Sequence, residues 1–158
     1  MKSEENTLCG PALSASVLDL FKVSNSMLAE GDRRVATLGL TSARWQVLGT
    51  VVAAPRPQPV AWLARDMGAN RQNIQRVVND LSKDGFLEFA SNPHHRRASL
   101  VVLTAKGRDA YDQAMGLAAP WMEQLAQGIA LQDILAMQRV LKTLRDRLDG
   151  ECEDIDPA

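Results

Sequence analysis

The stretch from residue 70 to residue 81, NRQNIQRVVNDL, most constrains what this chain can form. Its apolar residues recur at spacings of three and four: Ile74, Val77, Val78 and Leu81. That spacing predicts one buried side of a helix, and the opposite side carries amide and guanidinium groups. Asn70 is a strong N-cap and Gly85 a left-handed C-cap, so we expect the helix to lie between them.

A shorter helix is predicted just before this one. The segment PRPQP, residues 55–59, predicts a stiff extended linker, and Pro59 suits the start of the helix that follows. That helix should stop at Gly68, and the turn residues GAN connect it to the next helix. Two helices joined by a tight turn, the second apolar beneath and polar above, are typical of a helix-turn-helix whose second helix enters the major groove of DNA.

The segment after Gly85 predicts a hairpin. FLEFA, then SNPHHRR, then ASLVVLT indicate strand, turn and strand, with Arg96 and Arg97 at the tip. Such a hairpin beside a helix-turn-helix is a wing. His94 and His95 are adjacent at the tip but lack further ligands at a usable spacing, so no metal site is expected.

Amphipathic helices are predicted on both sides of this region. Their expected positions are about 12–29, 41 to just before 55, 104–127 and 132–148. The first and last carry more apolar surface than a small winged domain needs, so we expect a second copy of the chain to cover it. The predicted fold class is therefore mainly α with a small β-hairpin wing, a winged helix-turn-helix with N- and C-terminal dimerisation helices.

The predicted helices and hairpin also indicate the domain boundaries. We expect one winged-helix unit across residues 1–158, with its parts as follows: dimerisation helices at 12–34 and 112–149, a DNA-binding winged helix-turn-helix at 38–111, and flexible ends at 1–10 and 150–158.

Charge is unevenly distributed along the chain. Residues 60–108 hold eight basic and four acidic residues, whereas the whole chain has a formal net charge of -1. A basic middle in an acidic frame predicts a local site for a polyanion. The N-terminus has no signal or membrane-spanning pattern and the two cysteines lie far apart, so we expect a cytoplasmic protein that does not contact membranes. No catalytic motif or cofactor-binding motif is present, so neither an enzyme nor a cofactor is expected.

Three stretches of the sequence closely resemble the MarR family of bacterial regulators. They are LGLTSARWQVL, WLARDMGANRQNIQRVVNDLSKDGFLE and NPHHRRASLVVLTAKG. The resemblance implies a homodimer that binds a near-palindromic operator in double-stranded DNA, most often as a repressor. It also implies release from DNA when a small inducer, often aromatic, binds between the DNA-reading and dimerising parts.

The resemblance also assigns roles to individual residues. Base-edge contacts fall to Gln72, Asn73 and Arg76, with Gln75 beside them. Phosphate contacts fall to Asn70 and Arg71, and the wing contributes Arg96 and Arg97, the latter being the wing arginine. Amides can pair with adenine and arginine with guanine, which supports these roles on chemical grounds.

Three residues depart from the family pattern. His95 stands where an Asp usually orients the wing arginine, which predicts a looser wing at low pH, although added positive charge near phosphate argues for the opposite sign. Phe89 replaces a basic residue on the first wing strand. Trp62 stands where a polar residue is usual, and we expect it to pack on the PRPQP loop or line a ligand cavity. Trp62 and Trp45 are the weak candidates for ligand contact.

Two other functions remain open at this point. The chain could be a winged-helix protein-interaction module that does not bind DNA, or an oxidant-sensing regulator that acts through Cys9. Salt dependence separates the first alternative, because DNA affinity falls steeply with salt in proportion to the phosphates contacted.

Overall fold

The computed structural model describes residues 2–93, 95 and 97–153. Its elements in chain order are α1 (Lys2–Val35), a 3-10 turn (Ala36–Leu38), α2 (Ser42–Ala53), β1 (Gln58–Pro59), α3 (Val60–Asp66), α4 (Arg71–Lys83), β2 (Leu87–Ala90), β3 (Leu100–Leu103), α5 (Ala105–Ala126) and α6 (Leu131–Glu153). Helices dominate and the strands form one small sheet. The predicted fold class is confirmed.

The terminal helices are longer than expected. α1 begins at Lys2 and α6 continues to Glu153, so residues 2–10 and 150–153 are helical where the sequence predicted flexible ends. Gly10 and Gly150 lie inside these helices, and a single glycine costs a helix only about 1 kcal/mol. Good helix formers on either side carry the helices through. Residues 154–158 lie outside the described part of the chain.

The chain forms two compact units, one up to residue 118 and one from residue 119 onward. The sequence predicted a single unit across 1–158. The boundary falls inside α5, whose 22 residues give a helix about 33 Å long. A helix of that length is longer than the core of a small winged domain, so its last residues fall in the second unit.

The sheet has three antiparallel strands in the order β1, β3, β2. The predicted wing hairpin is confirmed, with Leu87 opposite Leu103 and Ala90 opposite Leu100. The third strand was missed, because PRPQP indicated only a linker. Its last two residues pair with β3, Gln58 opposite Val101. A proline is tolerated there because β1 is an edge strand that need not donate to a further neighbour.

The core of the first unit is built from side chains of α1, α2, α3, α4, β2, β3 and α5. Its largest fully buried side chains are Val35, Val47, Leu48, Leu63, Val78, Leu81, Leu87 and Val101. The C-terminal end of α1 is fixed on α2 by Ser42, whose hydroxyl donates to the Leu28 carbonyl at 2.7 Å. Gly31 is buried against that hydroxyl, and a Cβ at this position would collide with it. The last turns of α1 therefore belong to the winged domain.

Candidate nucleic-acid interface

The turn between α3 and α4 is closed by Asn70. Its side-chain oxygen accepts hydrogen bonds from the backbone N–H groups of Gln72 at 2.9 Å and Asn73 at 3.3 Å. Gly68 adopts φ +59, a backbone conformation that favours glycine. The predicted N-cap is therefore confirmed, and α4 begins at Arg71 with its first amides satisfied.

The underside of α4 is seated in the core. Ile74, Val78 and Leu81 are buried and Val77 is half-buried, which confirms the predicted apolar stripe. Gly85 follows the helix with φ +78 in the predicted left-handed cap. With its underside fixed, the helix can present only the opposite side to another molecule.

That opposite side is polar and uncovered. The exposed residues of α4 are Arg71, Gln72, Asn73, Arg76, Asn79, Asp80 and Lys83. Gln75 is half-buried and donates from its amide nitrogen to the Asn79 side-chain oxygen at 3.0 Å. Within the described residues, neither Arg71 nor Arg76 forms an ion pair. Both guanidinium groups therefore keep their donors available for a partner.

The C-terminal end of α4 is held by two cations that the sequence analysis did not assign. Arg44 of α2 forms an ion pair with Asp84, and its guanidinium lies 5.3 Å from the centre of the Phe86 ring. Lys106 of α5 lies 4.5 Å from the same ring and donates to the Asp84 carbonyl at 2.7 Å. These contacts fix the direction of α4 against α2 and α5. The only signal in the sequence was that both cations lie inside the LTSAR and LTAKG motifs.

The wing turn is held by hydrogen bonds to backbone carbonyl groups. Asn92 donates from its side-chain amide to the Ala98 carbonyl at 2.9 Å, and the Ala98 N–H donates to the His95 carbonyl at 3.0 Å. Arg97 is exposed. Arg96 and His94 lie outside the described residues. The effect of His95 at the usual Asp position stays a prediction.

A cleft joins the start of α4 to the base of the wing. Its volume is about 400 Å³, and its walls include Arg71 and Gln75 of α4, Phe89 and Arg97 of the wing, and Ala61 of α3. Two exposed arginines that are distant in sequence therefore line one concave surface, together with the half-buried Gln75. Phe89 contributes an apolar patch between them, 43% exposed.

A second cavity, of about 550 Å³, lies between α2, the linker before β1, α3 and the start of α5. Gln46, Thr50, Asp66 and Tyr111 are among its polar lining residues. Gln58 also lines it, and the side-chain oxygen of Gln58 is buried with no hydrogen-bond partner within the described part of the chain. An unpaired buried acceptor costs free energy until a donor reaches it.

The two tryptophans named as ligand candidates do not line either cavity. Trp45 is half-buried against the hydrophobic core. Trp62 is 43% exposed and stacks with Arg56 of the PRPQP segment, with the guanidinium 5.9 Å from the ring centre. Of the two predicted placements for Trp62, the packing on the linker is the observed one.

Comparison with known proteins defines the class. A sequence model of the MarR family matches residues 38–98. An uncharacterised protein of Mycobacterium tuberculosis is 36% identical over 129 residues, 82% of this chain and 87% of that protein. The transcriptional activatory protein BadR of Rhodopseudomonas palustris is 32% identical over 98 residues, 59% of this chain and 54% of BadR.

Solved structures agree. The transcriptional regulator PA3341 is 27% identical with a TM-score of 0.73, covering 83% of this chain and 96% of that one. The transcriptional repressor CouR, bound to a 23-mer DNA duplex, is 24% identical with a TM-score of 0.71, covering 80% and 89%. CouR from Rhodococcus jostii RHA1 has also been crystallised with p-coumaroyl-CoA. This chain belongs to the MarR family of winged-helix transcriptional regulators.

Neither a membrane-spanning helix nor a metal-ligand cluster occurs among the described residues. No helix in residues 2–93 and 97–153 is long and apolar enough to cross a membrane. Over the same residues and His95, no three His, Cys, Asp or Glu side chains come together as a metal site would require.

Proposed function

We propose that this regulator binds a near-palindromic operator in double-stranded DNA as a homodimer and represses transcription until a small, aromatic ligand releases it. One observation carries the proposal: α4 is buried along Ile74, Val78 and Leu81 and uncovered along its polar side. Amide and guanidinium groups on a rigid helix are what a major groove can recognise.

Within this proposal, Gln72, Asn73 and Arg76 contact base edges, because they lie on the exposed side of the first two turns of α4. Asn70 and Arg71 contact phosphates at the helix start, where backbone amides attract anions. Gln75 already donates to Asn79, so it supports the reading face from its edge. Arg97, with Arg96 beside it in sequence, reaches the minor groove, where a narrow groove attracts arginine.

The homodimer is supported by uncovered apolar side chains on both terminal helices. On α1, Leu18 and Phe21 are 62% and 61% exposed, and on α6, Met137 and Leu148 are 56% and 63% exposed. A stable chain rarely leaves this much apolar surface in water. We propose dimerisation through residues 12–34 and 112–149, with residues 38–111 reading DNA.

For the ligand, we propose the cavity lined by Gln46, Gln58 and Tyr111. Its walls join α2, α3 and α5, and Gln58 lies in β1, which pairs directly with wing strand β3. The side-chain oxygen of Gln58 has no hydrogen-bond partner within the described residues. A ligand with a hydrogen-bond donor, such as a phenol or an amide, would supply one. A molecule in this cavity could therefore change the position of the wing. The crystallised complex of CouR with p-coumaroyl-CoA supports an aromatic ligand by analogy.

The repressor assignment draws on CouR, whereas BadR is named as an activator. Two rivals remain. A protein-interaction module is disfavoured by the unpaired Arg71 and Arg76 on the exposed side of α4. An oxidant sensor would act through Cys9, which is exposed on α1. Ligand release is the function we favour, because the cavity beside Gln58 holds a buried acceptor that has no partner within the described residues.

Gel-shift titration against the DNA flanking the protein's own gene tests the proposal. We expect one shifted complex per operator with two protomers, and loss of affinity between about 50 and 200 mM salt. A promoter reporter then separates repression from activation. Equal affinity for scrambled DNA would exclude sequence-specific regulation and favour the interaction module.

A thermal-shift screen of phenolic and aryl carboxylate compounds tests the ligand. A true ligand should raise the melting temperature and lower operator affinity, since binding to the folded state stabilises it. Gln58→Leu should abolish both effects while leaving operator binding without ligand unchanged. A melting shift that survives in Gln58→Leu would place the ligand elsewhere.

A further inference from the structure

Trp62 is an unusual surface residue. It lies on α3 with 43% of its side chain exposed. Two guanidinium groups approach its ring, that of Arg56 at 5.9 Å and that of Arg65 at 5.7 Å from the centre. Arginine held over an indole face gains cation–π attraction while its donors remain free to bind elsewhere. The contacts therefore bring two positive charges to one exposed ring; we call Arg56, Trp62 and Arg65 the Arg–Trp–Arg patch.

The charges of this patch are not neutralised by neighbouring acids. Arg56 and Arg65 are both exposed, and neither forms an ion pair within the described residues. Asp66, next to Arg65 in the sequence, lines the cavity beside Tyr111. Two exposed guanidinium groups with no ion pair within the described residues can bind an anion, and the planar fork of arginine suits phosphate oxygens.

The position of the patch indicates which phosphates. α3 is the first helix of the helix-turn-helix, the helix that crosses the DNA backbone while the second enters the groove. Its residues Val60 and Ala61 line the same cleft as Arg71 and Arg97. Trp62 follows Ala61 directly, so the patch lies on the helix that forms one wall of that cleft.

We propose that the Arg–Trp–Arg patch binds backbone phosphates of the operator next to the segment read by α4, adding affinity without reading sequence. This inference rests on the proposed DNA-binding function. The tryptophan acts as a positioning residue: it holds the two arginines so that they lose less side-chain entropy when they meet phosphate.

The test is the salt dependence of operator affinity. Each phosphate contact contributes about 0.9 to the slope of log affinity against log salt concentration. Because the proposed homodimer would lose four phosphate contacts, the double variant Arg56→Ala with Arg65→Ala should lower the slope by about 3.6, while the ratio of operator to scrambled-DNA affinity stays unchanged. Trp62→Ala should lower the slope in the same direction, and Trp62→Phe should restore part of it, since a phenyl ring attracts cations less strongly than an indole.

Arg108→Ala is the matched control. Arg108 is an exposed arginine of the same unit that forms an ion pair with Asp112 at 3.9 Å. If the control lowers the slope as much as either patch variant, the effect is general charge loss and the proposal is wrong. If the patch variants lose thermal stability but keep the wild-type slope, the stack only packs the linker. Wild-type protein that shows no operator preference would overturn the proposed function itself, which is a different outcome.

Discussion

α4 and α6 are both amphipathic in sequence, but they differ in what covers their apolar sides. In α4, Ile74, Val78 and Leu81 are buried and the opposite side is polar. In α6, none of residues 131–150 is buried, and the exposed apolar side chains are Leu131, Leu135, Met137, Val140, Leu141 and Leu148. An apolar stripe predicts that a helix will be covered. It does not say whether the same chain supplies the cover.

The two helices differ in the process that buries their apolar side chains. Burying one leucine or methionine side chain contributes about 1.5–3 kcal/mol. α4 obtains this stabilisation when a single chain folds, whereas in the proposed homodimer α6 obtains it when two chains associate. Stability of the DNA-reading region should therefore depend little on protein concentration, and the state of α6 should depend on it strongly.

The largest effect should come from charging the uncovered side of α6. Met137→Asp with Leu141→Asp places two carboxylates at positions that are 56% and 38% exposed in the single chain and that the proposed dimer covers. We expect the molar mass by light scattering to fall from dimer to monomer. Operator affinity should drop by about 100-fold or more, because the two half-sites are no longer linked.

Gln132→Asp with Gln138→Asp is the matched control, with the same added charge at exposed polar positions of α6. It should leave both mass and affinity near wild type. A monomeric wild-type protein, or a dimer that survives the first variant, would mean that the apolar side of α6 is covered in another way.

Truncating a leucine on each helix sharpens the same comparison. Leu81→Ala removes a fully buried side chain of α4, which should lower the free energy of unfolding by about 2–5 kcal/mol. Leu131→Ala removes a side chain that is 70% exposed and should cost far less. Urea denaturation at two protein concentrations measures both. Equal losses in the two variants would contradict the division between a covered and an uncovered helix.

The arginine of α4 and the arginine of the wing should contribute to operator binding in different ways. Arg76→Ala should cost about 1–3 kcal/mol of binding and relax the preference at one base position. Arg97→Ala, on the wing, should weaken binding to all sequences more evenly. Binding to a library of operator variants measures both preferences. The reverse pattern would exchange the roles proposed for the helix and the wing.

Much of the winged domain was predictable because its signals are local. Asn70 and Gly85 cap α4 as expected, and the apolar spacing between them correctly predicted which side of the helix is buried. Pro59 precedes α3 as its fixed φ predicts. Such features depend on a residue and its near neighbours, so a sequence shows them directly.

What the sequence did not predict depends on contacts between distant residues. The pairing of Gln58 with Val101 spans the whole helix-turn-helix, and PRPQP carries no strand signal of its own. The ion pair of Arg44 with Asp84 joins residues 40 apart. The placement of Trp62 between two arginines likewise required the linker to fold back onto α3. The cavity beside Gln58 and Tyr111 was missed for the same reason, since its walls come from four separate segments.

The smallest effect concerns Asn70, where the two tasks of α4 meet. Asn70→Ala removes the acceptor for the Gln72 and Asn73 amides, which should cost about 0.5–2 kcal/mol of stability. Asn70→Asp keeps an acceptor of the same shape, and its charge favours a helix N-terminus, so stability should be retained. The same charge faces the proposed phosphate contact, so operator affinity should fall and its salt dependence should weaken. Thermal melts and gel shifts on both variants separate the two tasks. If Asn70→Asp bound the operator as well as wild type, the start of α4 would have to lie away from the phosphates, and its cap would serve the fold alone.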